Sequence, residues 1–68
     1  MGKKNEFIED INGDFHRKLS IESIRFKKDK DKESGSVFGY RKDQTITFCK
    51  DEPYAYCHGI LKEFGFDL

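Results

Sequence analysis

The chain has 68 residues, with thirteen basic and thirteen acidic side chains and a hydrophobic fraction of 35%. A chain this short buries only about 60% of the surface its unfolded form exposes, so one thin-cored domain spanning 1–68 is expected and a cleft between two domains is excluded. No apolar run approaches a membrane span, and no apolar stretch follows Met-Gly-Lys-Lys-Asn-Glu as a secretory signal requires, so the expected location is the cytoplasm.

The first predicted element is a short helix. Phe7, Ile8 and Ile11 recur at helical spacing among Glu6, Glu9 and Asp10, with Asn5 as cap and Asn12-Gly13 as stop. Asn-Gly is also a hairpin signal, but a two-residue loop leaves no clean apolar side, which favours the helix. From Phe15 to Lys28 the alternation is strand-like. Phe15, Leu19 and Ile21 share one parity and Ile24 and Phe26 the other, so a bulge near Ser23 or a break into two strands is required.

Residues 27–36 alternate in charge and contain no apolar side chain, which predicts a mobile, solvated connector. Two short strands follow. A three-residue loop of Lys42, Asp43 and Gln44 pairs Tyr40 with Ile46 and Phe38 with Phe48, gathering these four on one apolar face. Val37, Gly39, Arg41, Thr45, Thr47 and Cys49 then fall on the opposite, wet face. The last segment reads as a helix opened by Asp51, Glu52 and Pro53, with an apolar stripe of Cys57, Ile60, Leu61 and Phe64. Gly65 ends it, with Phe66 folding back on Leu61.

The expected fold is therefore α+β: helix, three-stranded antiparallel meander, helix (αβββα), with both helices on one face of the sheet. This element order resembles that of the double-stranded RNA-binding domain. That family grips phosphate with a basic opening turn on its last helix. The corresponding residues here, Asp51-Glu52-Pro53-Tyr54, are acidic and would repel it.

Chemistry-bearing motifs are sparse. Cys49, Cys57, His58 and His16 lack the closely spaced pairs of a structural zinc site, and Cys57 and His58 point about 100° apart on a helix. Neither cysteine has an identifiable base, and no phosphate loop or nucleophile elbow occurs. Two cysteines without an export signal read as reduced thiols. The expectation is a non-enzymatic protein without metal or cofactor.

Charge is distributed unevenly. Residues 1–14 carry two basic and four acidic side chains (net −2), residues 15–50 ten and five (net +5), and residues 51–68 one and four (net −3). The candidate binding residues are the strand-borne Arg17, Lys18, Arg25, Lys27, Lys28, Arg41 and Lys42, together with Tyr54 and Tyr56, since tyrosine joins contact area to a polar tip. The ten lysines and single alanine suit an AT-rich coding sequence such as that of a phage or mobile element. The leading expectation is a small regulator that docks on a host or partner protein, with a homodimer as one form. The alternative is nucleic-acid binding through the basic strands.

Overall fold

A computed structural model describes residues 6–66. The chain runs through β1 (Phe7–Glu9), β2 (Phe15–Arg17), a 3-10 turn (Lys18–Ser20), β3 (Ser23–Asp29), β4 (Ser34–Arg41), β5 (Gln44–Pro53) and α1 (Tyr54–Glu63). β1 and β2 form a two-stranded hairpin, and β3, β4 and β5 an antiparallel meander in that spatial order. Among the described residues no helix is long and apolar enough to cross a membrane.

The N-terminal helix is not formed; a hairpin takes its place, which overturns the αβββα order. The likeness to the double-stranded RNA-binding domain loses its first element with it. The anticipated cap, Asn5, lies outside the described residues. The cause of the hairpin is Asp10. Its Oδ1 accepts the backbone N–H of Asn12 at 2.9 Å and of Asp14 at 3.0 Å, and its backbone N–H donates to the Asp14 carbonyl at 2.8 Å. A short polar side chain that binds the backbone ahead of it favours a turn over helix continuation. Gly13 adopts φ +88° within the resulting five-residue loop. Ile8 then pairs with His16, and Glu9 with Phe15, so Ile8 turns inward where a two-residue loop would have scattered the apolar side chains.

β2 ends at Arg17 and β3 begins at Ser23, so the segment breaks into two strands; the 3-10 turn precedes Ile21, and Ile21 and Glu22, outside any strand, account for the parity change before Ile24. The charged connector narrows to the turn after Asp29. Lys27 pairs with Ser36, Lys28 with Gly35 and Asp29 with Ser34, so most of 27–36 is strand. Glu33 enters β4 at φ +54°.

The register of β4 on β5 also differs from expectation. The loop is two residues, Lys42-Asp43, with Arg41 opposite Gln44, Tyr40 opposite Thr45 and Phe38 opposite Thr47. Lys42 takes φ +54°, a conformation usually marked by Gly, Asn or Asp, so no residue type announced the tight turn. The core face of β4 is therefore Gly35, Val37 and Gly39. A Cβ at Gly35 would lie 2.6 Å from the Phe26 ring, and one at Gly39 2.6 Å from the Phe48 ring. The two glycines thus let rings lie flat on the strand. A register shift after Val37 leaves Phe48 and Cys49 both buried.

The core comprises Val37, Ile46, Phe48, Cys49, Cys57 and Leu61, with Ile8, Ile21, Ile24, Phe26, Ile60 and Phe64 packed around it. The C-terminal helix keeps its apolar stripe and its stop, but Asp51, Glu52 and Pro53 end β5, and no side chain caps the helix, which begins at Tyr54. Gly65, at φ +94°, donates to the Lys62 carbonyl at 2.9 Å and Phe66 donates to the Leu61 carbonyl at 3.2 Å, the two bonds of a Schellman stop. Hairpin and helix both pack on one face of the meander, and the Ile11 N–H donates to the Thr47 carbonyl at 2.9 Å to tie the hairpin loop to β5.

Candidate functional site

The consequence of this register is a sheet with one sealed face and one open face. Side chains alternate across a strand, so residues paired with the core row face inward and their neighbours outward. On the outward side β3 presents Ser23, Arg25 and Lys27, β4 presents Ser36, Phe38 and Tyr40, and β5 presents Thr45 and Thr47. Phe38 and Tyr40 were expected in the core; they stand instead on the central strand of the open face, where both are half-buried. Phe38 has Arg25 directly across on one side and Thr47 on the other. Tyr40 lies between Ser23 and Thr45.

Beyond Phe38 the open face deepens into a groove of about 580 Å³ whose lining includes Lys27, Lys50, Ser36, Phe38, Asp29 and Asp51. The Ser36 hydroxyl accepts the Asp51 N–H at 3.2 Å, where Asp51 at φ +55° bends β5 and brings Lys50 over the groove. Arg25, Lys27 and Lys50 are exposed cations at this surface, and its three carboxylates, Asp29, Asp31 and Asp51, lie toward the β3–β4 turn.

The candidate residues named from sequence divide among several places. Arg25 and Lys27 share the open face. Lys28 alternates to the other face of β3, its Nζ 5.9 Å from the Phe26 ring centre, and it borders the groove at its β3–β4 end. Arg41 also turns away, donating to the Ser20 hydroxyl at 3.0 Å and to Gln44 Oε1 at 3.1 Å. Arg17 lies over the Phe7 ring at 5.3 Å and 3.7 Å from Glu6, while Lys18 is bonded to Glu63. Lys42 sits in the β4–β5 turn. Tyr54 packs edge-on against Phe26, is stacked with His58, and donates to the Asp29 carbonyl at 3.4 Å. Tyr56 is exposed, beside Phe7 and Phe15 of the hairpin. The basic strands thus do not make one continuous surface. Sequence reasoning missed Phe38, Tyr40 and Lys50; the glycines at 35 and 39 were the available signal, since rings need bare backbone on the core side.

The remaining chemistry-bearing groups are held in structural contacts. Cys49 and Cys57 are free, buried thiols with their sulfurs 3.6 Å apart. Burial and the neighbouring Cys57 push the Cys49 thiol up to about 12, so Cys49 carries no thiolate near neutrality. His16 bonds Asp10 Oδ2 at 2.7 Å and meets Phe48 edge-on. Burial works to raise the Asp10 carboxyl, but the bonds from His16, Asp14 and Asn12 outweigh it and hold the group below its ordinary value. Among the described residues no three His, Cys, Asp or Glu side chains converge to hold a metal.

Compared with protein-family models, with curated proteins and with solved structures, the chain matches none.

Proposed function

We propose that the protein binds single-stranded nucleic acid across the open face of its meander, with Phe38 and Tyr40 as stacking platforms and Arg25, Lys27 and Lys50 as phosphate contacts. The observation that carries this reading is the pair of aromatics on an uncovered central strand, flanked by cations. Residues two apart on a strand stand about 7 Å from one another, about twice the ~3.4 Å rise per base of a stacked strand, so the two rings can accept neighbouring bases of a strand that is unstacked and extended. Base–aromatic stacking contributes about 1–3 kcal/mol per base and tolerates any sequence, which suits a face with few directional hydrogen-bonding side chains. A duplex hides the base faces and gains nothing from the rings. Asp29, Asp31 and Asp51 repel phosphate at the far end, so the strand runs from Tyr40 over Phe38 to Lys27 and Lys50.

The test is fluorescence anisotropy of a labelled ten-nucleotide single strand across a salt series. Three phosphate contacts predict a slope of log affinity on log salt near roughly −2, from about −0.7 per contact. Phe38→Ala or Tyr40→Ala weakens binding by about 5- to 150-fold and leaves the slope in place. Arg25→Ala, Lys27→Ala or Lys50→Ala each reduces the slope by about 0.7. Absence of binding at low salt overturns the proposal. So does equal affinity for duplex, or binding indifferent to Phe38→Ala and Tyr40→Ala, as an acidic peptide competing for the cations alone would produce.

A further inference from the structure

On the opposite side of the molecule the hairpin carries a second uncovered surface. Phe7 and Phe15 are 49% and 67% exposed, and with Tyr56 and Ile60 they border an apolar groove of about 540 Å³ between hairpin and helix. Large rings left open together on a monomer mark an interaction surface. The pairing of β1 with β2 decides what covers it. Phe7 is opposite Arg17 and Glu9 is opposite Phe15, so all four project from the same outer face of the hairpin. Cross-strand neighbours lie about 5 Å apart and residues two along a strand about 7 Å. The four therefore occupy the corners of a near-square, with two rings on one diagonal and an arginine and a glutamate on the other.

That pattern is its own complement. A half-turn about the Phe7–Phe15 diagonal lays ring against ring and carries the second copy's Arg17 onto Glu9 and its Glu9 onto Arg17. We infer that the occupant of this face is a second copy of the chain, joined through an isologous two-fold interface at the hairpin and extending over Tyr56 and Ile60. Arg17 is more than half exposed, and its approach to Glu6 is a loose 3.7 Å, so the guanidinium can reach across. A partner of uniform charge would leave one of the two charged corners opposed by its like. Only an arrangement with both signs on the matching diagonal satisfies the face. The two open sheet faces stay uncovered in such a dimer, so the inference does not depend on nucleic-acid binding.

The test is the mass of the intact chain in solution, by light scattering or sedimentation from 1 to about 200 µM, with circular dichroism to verify folding. The wild-type chain is expected at about twice its 8.0 kDa mass at the upper concentrations. Glu9→Arg and Arg17→Glu each set like charges together twice across the axis and weaken the dimer by roughly tenfold or more. An equimolar mixture of the two variants restores a dimer, one of each, because every charged corner again meets its opposite. Phe15→Glu abolishes it without touching the core. A wild-type chain that stays monomeric at 200 µM overturns the inference. So does a dimer indifferent to both charge reversals, or a mixture that associates no better than its components.

Discussion

Glycine at position 39 gives the sharpest handle on which side of the sheet is sealed. An alanine Cβ there would lie 2.6 Å from Phe48 Cε2 and 3.0 Å from Ile21 Cγ2, against a normal carbon contact beyond about 3.4 Å. Phe48 cannot swing aside freely: it is 3% exposed, tilted against Phe64 at 5.5 Å and met edge-on by His16 at 6.4 Å. Overpacking of this kind costs about 1–3 kcal/mol, and relief of glycine's backbone entropy returns about 0.5–1 kcal/mol. The net for Gly39→Ala lies between neutral and about 2.5 kcal/mol destabilising, centred on about 1.25 kcal/mol, which at about 4–8 °C per kcal/mol lowers Tm by about 5–10 °C at that centre. The same substitution at Gly59, in α1 with nothing within 4 Å of the added carbon, has the opposite sign. It gains about 0.8–1 kcal/mol of helix propensity and raises Tm by about 3–8 °C. Thermal unfolding of both variants at low micromolar concentration, followed by circular dichroism, makes the comparison. If Gly39→Ala stabilises as Gly59→Ala does, the Phe48 ring is not on Gly39, and the assignment of the core face is refuted.

Two further outcomes concern the buried polar groups. Both thiols are expected to resist aromatic disulfide reagents at pH 8 in the folded chain and to react fully in denaturant, because Cys49 is pushed up to about 12 and both sulfurs are buried; rapid native-state labelling of either contradicts this. The Asp10 carboxyl sits below its ordinary value, so its ionised form stabilises the fold above that value, and the contribution is lost as pH falls through the folded-state pKa. Asp10→Asn keeps an oxygen for the Asn12 and Asp14 amides but no charge. The Tm difference between wild type and this variant is therefore largest at neutral pH and shrinks toward pH 2; a gap that is constant or widens in acid contradicts the assignment.

How far the fold could be read beforehand follows from where local chemistry agreed with the global packing. α1 was legible because its stripe of Cys57, Ile60, Leu61 and Phe64 and its Gly65 stop state one message, and packing on the sheet does not alter it. The meander of β3, β4 and β5 was legible as an antiparallel run, but its register was not. Lys42 holds a left-handed turn without the residue that usually marks one, and the shift at Phe48 and Cys49 reverses parity midway through β5. Either event alone moves side chains to the other face. The two-residue loop sends Phe38 and Tyr40 outward and Val37 inward, and the shift adds Cys49 to the buried side of β5 beside Phe48. The N-terminal hairpin was hidden because Glu6, Glu9 and Asp10 look like the first turn of a helix. Only in three dimensions does Asp10 serve Asn12, Asp14 and His16 at once. The candidate site suffered most from the register error: Arg25 and Lys27 were recognised as charges, while the rings beside them were assigned to the core.

The most direct test of the open-face account is a heteronuclear NMR titration of the labelled chain with a short unstructured single strand at low salt. The account predicts progressive shifts at Arg25, Lys27, Phe38, Tyr40, Thr47 and Lys50, with ring protons of Phe38 and Tyr40 moving upfield as bases stack on them. Shifts concentrated on Phe7, Phe15 and Tyr56, or no shifts in the middle of β4, would contradict it.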